Sequence, residues 1–390
     1  MSTAILREVP ERASSWVEIS ATALRHNLGE FRRIIGPRCG LMAVVKSNAY
    51  GHGLAIVAGE AAAAGVEALG VNTVDEGLTL RRAGIDTRIV VLGYLTPAAM
   101  AEAVAARLEP TVYQMEAIAS ARTAAAAART RARLHLKVET GTHRQGVSEA
   151  ELISVSRAIT ADPHLELAGL STHFANIEDT TDHTYARQQL ACYEALVRRL
   201  ADHGIVPGIR HIACSAAAIL LSETHQDMAR VGIGLYGLWP SKETYLSSLL
   251  QAGMRVDLVP VMALKARIAQ VKDVPAGAYV GYGLTYRATH PTRLAVLPIG
   301  YYEGYDRGLS NLAHVLVHGV RAPVRGRICM NICMVDVTDV PAAAVNDEVV
   351  LLGAQGDERV RAEDLARHIG TINYEIVARI HPDLPRVLVA

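Results

Sequence analysis

Short apolar segments alternate with stretches of helical periodicity from about residue 16 to about residue 235. The clearest segment, residues 41–45, is apolar at every position, as is typical of a strand covered on both faces. Seven similar segments follow at fairly regular spacing: residues 68–71, 88–92, 108–112, 134–138, 165–170, 209–213 and 228–233. Strands that alternate with helices form parallel sheets, and eight of them fit a closed (β/α)8 barrel. The sequence therefore predicts such a barrel as the main fold.

The pattern changes in the last third of the chain. Short segments rich in β-branched residues, bounded by turn signals, stand at residues 271–275, 278–283 and 294–299. Helical periodicity returns only near residues 362–369. A chain of 390 residues is also too long for one ordinary core. We therefore predict an α/β plus β protein, with an N-terminal TIM barrel at residues 1–250 and a C-terminal mostly-β domain at residues 251–390.

Composition and charge argue against several classes of protein. Lysine plus arginine balances aspartate plus glutamate at 39 each, so nothing points to nucleic acid or to an anionic membrane. Residues 1–15 lack the apolar core of a signal peptide, and no later apolar segment is long enough to span a bilayer, so we expect a cytoplasmic protein. The five cysteines are odd in number and scattered, so neither a disulfide framework nor a metal site is predicted.

A lysine stands at the end of the clearest strand. Residues 43–53 read AVVKSNAYGHG, so Lys46 ends a buried strand and begins a turn flanked by glycines. The carboxyl ends of barrel strands face the active site. A partly desolvated lysine there has a lowered pKa and can form a Schiff base with an aldehyde cofactor. On strand position alone, however, a lysine that reaches past the strand end into solvent is the commoner case.

The same segment resembles, nearly letter for letter, the pyridoxal-phosphate (PLP) lysine motif of the alanine racemases. Further similarities follow in the family's order: KVETGTHRQG at 137–146, LSTHFAN at 170–176, HIACSAA at 211–217, ARVGIGLYGLWPS at 229–241, VGYG at 280–283, PIGYYEGYDRG at 298–308, GRICMNICM at 326–334 and TINYEIVARI at 371–380. The resemblance covers almost the whole chain. It implies a PLP-dependent isomerase that interconverts L-alanine and D-alanine and works as a homodimer.

Racemisation needs an electron sink, which PLP provides, and two bases on opposite faces of the reacting carbon. The resemblance assigns one base to Lys46 and the other to Tyr282 of the partner subunit, so activity would require a dimer with shared active sites. Arg230 is implied to face the pyridine nitrogen and, because arginine does not give up its proton, to leave that nitrogen unprotonated. His173 is implied to link Arg230 with the catalytic tyrosine, and His211 to support it. Taken alone, Tyr282 fits an edge-strand aromatic and His173 a core residue.

The resemblance also names the groups that bind the cofactor phosphate. Gly232 and Ile233, after the eighth strand, offer backbone N–H groups at the usual phosphate position of a barrel. Ser215, Tyr50 and Tyr374 match the hydroxyl donors of the family. Together with the lysine and the arginine named above, these residues form the implied cofactor site.

Other residues are implied to bind the substrate. Arg144 matches the arginine that holds the substrate carboxylate, a task that suits a guanidinium fork. Lys137 corresponds to a lysine that is often carbamylated in this family and that orients the arginine. Desolvation must first make its amine nucleophilic, and an unmodified strand-end lysine is the alternative. Tyr301 matches a tyrosine that narrows the substrate entrance, and Met330 is also implied to contact the substrate.

Four segments depart from the family pattern. Glu139 stands where aspartate is usual, residues 142–143 are Thr-His where Met-Gly or Met-Asn is usual, Cys214 replaces a common asparagine, and Asn331 replaces an aspartate. They leave substrate choice open, so a racemase for serine, lysine or ornithine is the first alternative, although the narrow entrance favours a small side chain. A PLP-binding protein without turnover resembles the barrel half alone, and a decarboxylase typically has an acid at the position of Arg230.

Overall fold

The computed structural model describes residues 7–250 and 255–390. These residues fall into two compact units, a first within residues 23–49 and 57–259 and a second within residues 7–22, 50–56 and 260–390. The strands are β1 (Ser15–Ser20), β2 (Gly40–Val44), β3 (Ala68–Val71), β4 (Arg88–Val91), β5 (Glu109–Val112), β6 (Ala132–Lys137), β7 (Leu165–Ser171), β8 (Ile209–His211), β9 (Met228–Val231), β10 (Met262–Arg267), β11 (Gln270–Val274), β12 (Tyr279–Val280), β13 (Tyr286–Arg287), β14 (Thr292–Leu297), β15 (His314–Val317), β16 (Val320–Pro323), β17 (Cys333–Asp336), β18 (Glu348–Gln355), β19 (Glu358–Val360) and β20 (Arg386–Val389). The helices are α1 (Ala21–Ile35), α2 (Lys46–Tyr50), α3 (Leu54–Ala63), α4 (Val74–Arg82), α5 (Pro97–Ala105), α6 (Met115–Ala127), α7 (Leu152–Thr160), α8 (Thr184–Asp202), α9 (Ser215–Leu220), α10 (Lys242–Leu249), α11 (Ala362–Ile369) and α12 (Asn373–Ala378).

The first unit contains a barrel of eight parallel strands. Their order is β8-β7-β6-β5-β4-β3-β2-β9. Two backbone hydrogen bonds join the chain around β8 to β9: the N–H of Asp227 donates to the carbonyl of Arg210 (3.1 Å), and the N–H of Arg230 donates to the carbonyl of Ala213 (2.9 Å). The predicted (β/α)8 barrel is thereby confirmed, and its predicted segments overlap β2 to β9.

Apolar side chains pack within the barrel unit. Met42, Ala68, Val90 and Met228 come from four different strands, are at most 3% exposed and form one buried cluster. Full burial of a methionine or valine side chain contributes about 1.5–3 kcal/mol. The barrel is therefore closed around packed side chains rather than around a pore.

Two of the helices between the strands, α4 and α5, begin at residues whose side chains accept a backbone N–H. The side chain of Thr73 accepts the N–H of Glu76, and the carboxylate of Glu76 accepts the N–H of Thr73, which makes a capping box at the start of α4. Thr96 caps α5 through its side chain, with Pro97 as the first helical residue. These caps fix where each helix begins, and so they fix the short loops at the carboxyl ends of the strands.

The second unit is mostly β structure, as predicted. Its largest sheet has the order β16-β15-β18-β10-β1-β20, with β19 paired to β18. A three-stranded sheet (β11-β14-β17) and a two-stranded sheet (β12-β13) accompany it. The predicted helical segment at residues 362–369 corresponds to α11. The sequence analysis missed α12, because six residues are too few to display a helical period.

The first strand of the chain lies in this second unit. β1 pairs antiparallel with β10 and parallel with β20, so that Val17 lies opposite both Leu264 and Arg386. The alternation assigned to the barrel from about residue 16 therefore begins only with β2. β1 is buried along most of its length, and burial gives an apolar segment whichever sheet covers it. The single domain boundary near residue 250 stays a prediction.

Two structural features are absent from the described residues, 7–250 and 255–390. No helix within them is both long and apolar enough to cross a membrane. They also contain no group of three or more His, Cys, Asp or Glu side chains that could hold a metal ion. The five cysteines are free thiols.

Candidate active site

Lys46 follows β2 directly and begins an unusual turn. Ser47, Asn48, Ala49 and Tyr50 have φ values of 57°, 54°, 54° and 52°. Residues other than glycine rarely adopt this left-handed conformation, which costs about 1–2 kcal/mol per residue. The sequence predicted a turn here, but not that it would be left-handed over four residues. Contacts with the surrounding structure must therefore stabilise it.

The carboxylate of Glu76 accepts hydrogen bonds from two loops, the one that follows β2 and the one that follows β3. Oε1 of Glu76 accepts the N–H groups of Ser47 (2.6 Å) and Asn48 (3.4 Å). Oε2 of the same side chain accepts the N–H groups of Asn72 (2.8 Å) and Thr73 (3.3 Å). The sequence analysis did not single out Glu76. The sequence contains the capping-box pattern of Thr73 and Glu76, but it gives no sign that Glu76 also binds the segment after Lys46.

The end of the same turn, from Tyr50 onward, belongs to the second unit, and groups of that unit bind it. The carbonyl of Gly51 accepts hydrogen bonds from Nε (3.1 Å) and Nη2 (2.9 Å) of Arg386. A Cβ atom at Gly51 would lie 1.9 Å from the carbonyl oxygen of Val377, so only glycine fits. The rings of Tyr50 and Tyr374 lie close to each other, with centroids 6.2 Å apart. The structure thus brings together two of the three predicted hydroxyl donors.

Four cations influence one another at the barrel end that carries Lys46. Burial and then the charge of Arg144 lower the pKa of Lys46, with a further contribution from Arg230. Burial, Arg230 and Arg144 lower the pKa of Lys137 to about 8. Repulsion between like charges is relieved when an anion binds among them. This end of the barrel is therefore suited to a ligand that carries negative groups.

The loop after β6 is organised by Glu139, one of the positions that depart from the family pattern. Its Oε1 accepts the N–H groups of Gly141 and Thr142, both at 2.6 Å, and its Oε2 accepts that of Arg144 at 3.3 Å. Although burial works in the opposite direction, these bonds lower the pKa of Glu139. The hydroxyl of Thr142 donates to the carbonyl of His173 (2.6 Å). Glu139 and Thr142, which both depart from the family pattern, therefore each form hydrogen bonds within the structure.

A side chain that the sequence analysis missed contacts Lys137. The ammonium group of Lys137 donates to Oε1 of Gln145 (3.3 Å). Nε2 of Gln145 in turn donates to the hydroxyl of Tyr113 (3.1 Å). The residue lies next to Arg144 in the motif, but a glutamine in a loop gives no signal of its own in the sequence.

Arg230 lies buried on β9 and is held by carbonyl groups. Its Nη2 donates to the carbonyls of Thr172 (2.7 Å) and Ile212 (3.2 Å), and it lies 3.4 Å from Nδ1 of His173. Its Nη1 donates to the backbone carbonyl of His211 and lies 3.0 Å from Nδ1 of that ring. Burial lowers the pKa of Arg230 to about 10. Burial, followed by the charge of Arg230, holds the pKa of His173 well below its usual value. The predicted trio of one arginine and two histidines is present.

The loop after β9 meets the first residue of α9. Oγ of Ser215 accepts the N–H groups of Gly232 (3.0 Å) and Gly234 (3.3 Å). Ile233 begins a short 3-10 turn, Ile233–Tyr236. Cys214 precedes the helix, and burial raises the pKa of its thiol to about 12. This departure therefore places a neutral, buried thiol beside the serine.

Three predicted site residues of the second unit are exposed on this chain. Tyr282 is 74% exposed, Met330 54% and Tyr301 41%. Tyr282 begins a tight turn, and the glycines on either side of it, Gly281 and Gly283, have φ values of 75° and 72°. These glycines permit a turn that pushes the tyrosine ring outward.

Two loops of the second unit are joined at the predicted substrate residues. The N–H of Tyr301 donates to the carbonyl of Cys329 (3.1 Å), and the N–H of Tyr302 donates to that of Met330 (2.9 Å). Nδ2 of Asn331 donates to Oε1 of Glu303 at 2.6 Å. An aspartate at position 331 could not make this bond, because two carboxylates would repel each other. The departure at position 331 therefore matches the glutamate at position 303, which the sequence analysis did not consider.

Comparison with known proteins agrees with this arrangement. The family model for the alanine racemase N-terminal domain matches residues 19–240, and that for the C-terminal domain matches residues 261–388. The chain belongs to the alanine racemase family. An alanine racemase of Desulfovibrio desulfuricans is 42% identical over 374 residues, which cover 96% of this chain and 98% of the relative. One of Methanococcus maripaludis is 38% identical, covering 95% and 98%.

Solved alanine racemase structures share the fold. The enzyme of Streptomyces lavendulae, a producer of D-cycloserine, has a TM-score of 0.89 and 38% identity, and the match covers 98% of both chains. The enzyme of Bacillus anthracis with bound L-Ala-P has a TM-score of 0.90 and 32% identity, covering 98% of this chain and 96% of that one. Membership of the alanine racemase family makes this chain a racemase. Because both family domains match, the alternative of a carrier that resembles the barrel half alone is not supported.

Proposed function

We propose that this racemase interconverts L-alanine and D-alanine, with PLP carried on Lys46. The observation that carries the proposal is the lowered pKa of Lys46 at the end of a barrel strand, among the positive charges of Arg144 and Arg230. The names of the relatives at 42% and 38% identity support alanine as the substrate.

The residues present fit the cofactor. PLP carries a phosphate, an aldehyde and a pyridine nitrogen, and each has a suitable counterpart. The hydroxyl of Ser215 accepts two backbone N–H groups, which orients its own proton for donation to a phosphate oxygen. The backbone of Gly232 and Ile233 and the hydroxyls of Tyr50 and Tyr374 are the further phosphate donors we propose. When bound, the cofactor supplies an aldehyde that takes up an amine and an electron sink that makes the α-proton acidic.

Two groups on opposite faces of the substrate move the α-proton. A lowered pKa increases the fraction of Lys46 that is a neutral amine, which is the form that accepts a proton. We assign the second base to Tyr282 of the partner subunit. Tyrosine serves as a base only where nearby positive charge lowers a pKa that is ordinarily near 10, because burial alone would raise that pKa. A ring that is 74% exposed on its own chain therefore needs cationic groups from another subunit, and the proposed dimer supplies them.

Arg230 faces the pyridine nitrogen in this proposal. A guanidinium holds its proton, so Arg230 would donate a hydrogen bond to that nitrogen without protonating it. In this role Arg230 would limit how strongly bound PLP withdraws electrons, which would favour racemisation over side reactions. His173, 3.4 Å from Arg230, links that arginine to the catalytic tyrosine.

Arg144 binds the substrate carboxylate, and we propose that Lys137 supports it as a carbamate. An amine with a pKa of about 8 is partly neutral at neutral pH and can add to carbon dioxide, releasing one proton. The product is an anion that relieves the repulsion of Lys137 with Arg144 and Arg230. Tyr301 and Met330 narrow the entrance to a small side chain, which favours alanine over lysine or ornithine. We further propose that the enzyme acts in the cytoplasm.

Racemisation in deuterated water tests the substrate. The holoenzyme is incubated separately with L-alanine, L-serine, L-lysine and L-ornithine, and the D-isomer and α-deuterium are measured by chiral chromatography and mass spectrometry. Fast formation of D-alanine, with slower D-serine, is expected. A preference for another amino acid would overturn the choice of alanine. In parallel, borohydride reduction should attach the cofactor to the peptide that contains Lys46, and attachment at another lysine would reject that assignment.

A further inference from the structure

A line of polar side chains crosses the interior of the barrel and ends at Arg230. Oε2 of Glu109, at the start of β5, lies 2.7 Å from Nε2 of His135 on β6. Nδ1 of His135 lies 2.8 Å from Nε2 of His211 on β8. Nδ1 of His211 lies 3.0 Å from Nη1 of Arg230 on β9. The two histidines are 0% exposed, Glu109 is 5% and Arg230 is 8% exposed, so water does not compete for these bonds.

Glu109, at one end of this line, is held as an ionised carboxylate. Burial would raise the pKa of Glu109, but the hydrogen bond from His135 and the guanidinium groups of Arg88 and Arg133 outweigh it and lower that pKa. Nε of Arg88 (3.0 Å) and Nε of Arg133 (2.9 Å) both donate to Oε1 of Glu109. Oε2 is thereby directed at His135, and an ionised carboxylate can only accept.

The acceptor at one end of the line and the donor at the other determine which nitrogen carries each proton. Because Glu109 only accepts, Nε2 of His135 must donate, and Nδ1 of a neutral His135 must accept. Nε2 of His211 therefore donates to His135, and Nδ1 of His211 carries the lone pair that receives an N–H of Arg230. Arginine can only donate, so the pattern is complete in one direction. A proton added to His211 would place two donors face to face at Arg230, and a proton added to His135 would do so between the two rings.

Two further observations support this arrangement. Burial is the largest cause that holds the pKa of His211 well below its usual value, and the charge of Arg230 contributes to the same shift. Gly169 on β7 provides the space for the contact between the rings, because a Cβ atom there would lie 2.2 Å from Nδ1 of His135. The rings meet edge to face, with centroids 4.9 Å apart.

We propose that Glu109 and His135 are positioning residues that fix His211 as its Nε2–H tautomer, so that the lone pair on Nδ1 holds the guanidinium of Arg230 in place. Neither residue touches the substrate or the cofactor in the proposed function. Each acts through the next hydrogen bond, and the other ring nitrogen of a histidine is known to set its tautomer in this way. The effect on racemisation rests on the proposed function, because it requires that Arg230 face the cofactor. The tautomer proposed for His211 does not depend on the proposed function.

Nitrogen-15 NMR of the histidine-labelled holoenzyme tests the tautomer directly. Long-range proton–nitrogen spectra distinguish Nε2–H from Nδ1–H rings, and a His211→Asn variant assigns the signal. The wild type should show His211 as neutral Nε2–H between pH 6 and pH 8. Glu109→Leu and Gly169→Ala, which break the line at different bonds, should each give a mixture of tautomers or a protonated ring. Glu109→Gln should preserve the Nε2–H form, because an amide oxygen still accepts from His135.

A matched control separates the line from the ion pairs around it. Glu166 also binds Arg133 (2.8 Å) but lies outside the line, so Glu166→Gln should leave the His211 tautomer unchanged. The value of kcat for L-alanine should fall about 10-fold in Glu109→Leu, the loss typical when the group that orients a functional histidine is removed. KM should change less than twofold, and Glu109→Gln should recover most of the rate. Thermal unfolding of each variant verifies that it is folded.

The outcomes distinguish this inference from the proposed function. An Nδ1–H tautomer of His211 in the wild type, or an unchanged tautomer in both Glu109→Leu and Gly169→Ala, would overturn the inference. If the wild type has the expected tautomer but exchanges no α-proton in any amino acid, the proposed function fails while the inference about His211 stands.

Discussion

The side chains assigned to the site differ between the two compact units. In the barrel unit, Arg230 is 8% exposed and Lys46 and His173 are half-buried, and burial is the largest cause that lowers the pKa values of all three. In the other unit, Tyr282 is 74% exposed and Met330 is 54% exposed. The barrel unit thus buries these three residues at least in part, whereas the chain by itself leaves Tyr282 and Met330 facing water.

This difference indicates which part of the reaction one subunit can tune. Burial and nearby charge are what shift a pKa, and Lys46 and Lys137 experience both within the barrel unit. Tyr282 needs positive charge close to its hydroxyl before it can act as a base, and its own chain leaves the residue 74% exposed. We therefore expect substitution of Tyr282 to separate cofactor binding from turnover, because it removes a group on which the cofactor site of the barrel does not depend.

The largest effect that tests this comparison is expected for Tyr282→Phe. Without the hydroxyl, inversion of L-alanine or D-alanine should slow by at least about 100-fold, the lower range for loss of a general base. Cofactor binding should persist, because the barrel residues are unchanged. One enantiomer should still exchange its α-proton with deuterated water through Lys46, without inversion. Chiral chromatography combined with mass spectrometry measures both quantities.

Tyr279→Phe is the matched control for that variant. Tyr279 is 53% exposed, lies three residues earlier in β12, and has its ring 5.7 Å from the guanidinium carbon of Arg287. Loss of its hydroxyl should leave inversion within twofold of the wild type. Equal rates of inversion in Tyr282→Phe and the wild type would show that the second base is another group.

Much of the barrel could be predicted because its strands are continuous apolar segments, as in residues 41–45. Lys46 and Arg230 were predicted to be site residues from the motifs that surround them. The left-handed turn after Lys46 could not be, since Ser47 to Tyr50 have no glycine and their conformation depends on Glu76, far along the chain. The bond between Glu109 and His135 could not be predicted either, because it depends on the register of two neighbouring strands, in which Thr111 lies opposite His135.

A smaller effect, confined to the barrel unit, is expected for Glu76→Ala. The change removes the acceptor of four backbone N–H groups and half of a capping box, so the free energy of unfolding should fall by about 2–3 kcal/mol. The turn after Lys46 should relax, and kcat should fall about 10-fold because the amine is no longer held in position. The pKa of Lys46 should fall further, since the charge of Glu76 raises it. Urea unfolding measures the free energy of unfolding, and steady-state kinetics measure kcat.

Asp75→Ala provides the control for Glu76→Ala. Asp75 is exposed in the same first turn of α4, so its loss tests the general effect of an acidic group near a helix start, about 0.3–1 kcal/mol. Its effect on kcat should be less than twofold. If Asp75→Ala slowed the enzyme as much as Glu76→Ala, the turn after Lys46 would not depend on the Glu76 carboxylate.

The smallest effect is expected at the loops of the β unit, for Asn331→Asp. This change restores the residue usual in the family but places a second carboxylate beside Glu303, whose Oε1 now accepts from Asn331 at 2.6 Å. Because the bond is exposed, its loss should cost about 1 kcal/mol or less, which corresponds to a rise in KM for alanine of about two- to fivefold. The repulsion should weaken in high salt, so the rise in KM should shrink there. Asn331→Asp combined with Glu303→Gln re-forms the bond with donor and acceptor exchanged, and KM should return to within twofold of the wild type. A double variant as impaired as Asn331→Asp alone would mean that position 331 affects the substrate directly and not through the contact with Glu303.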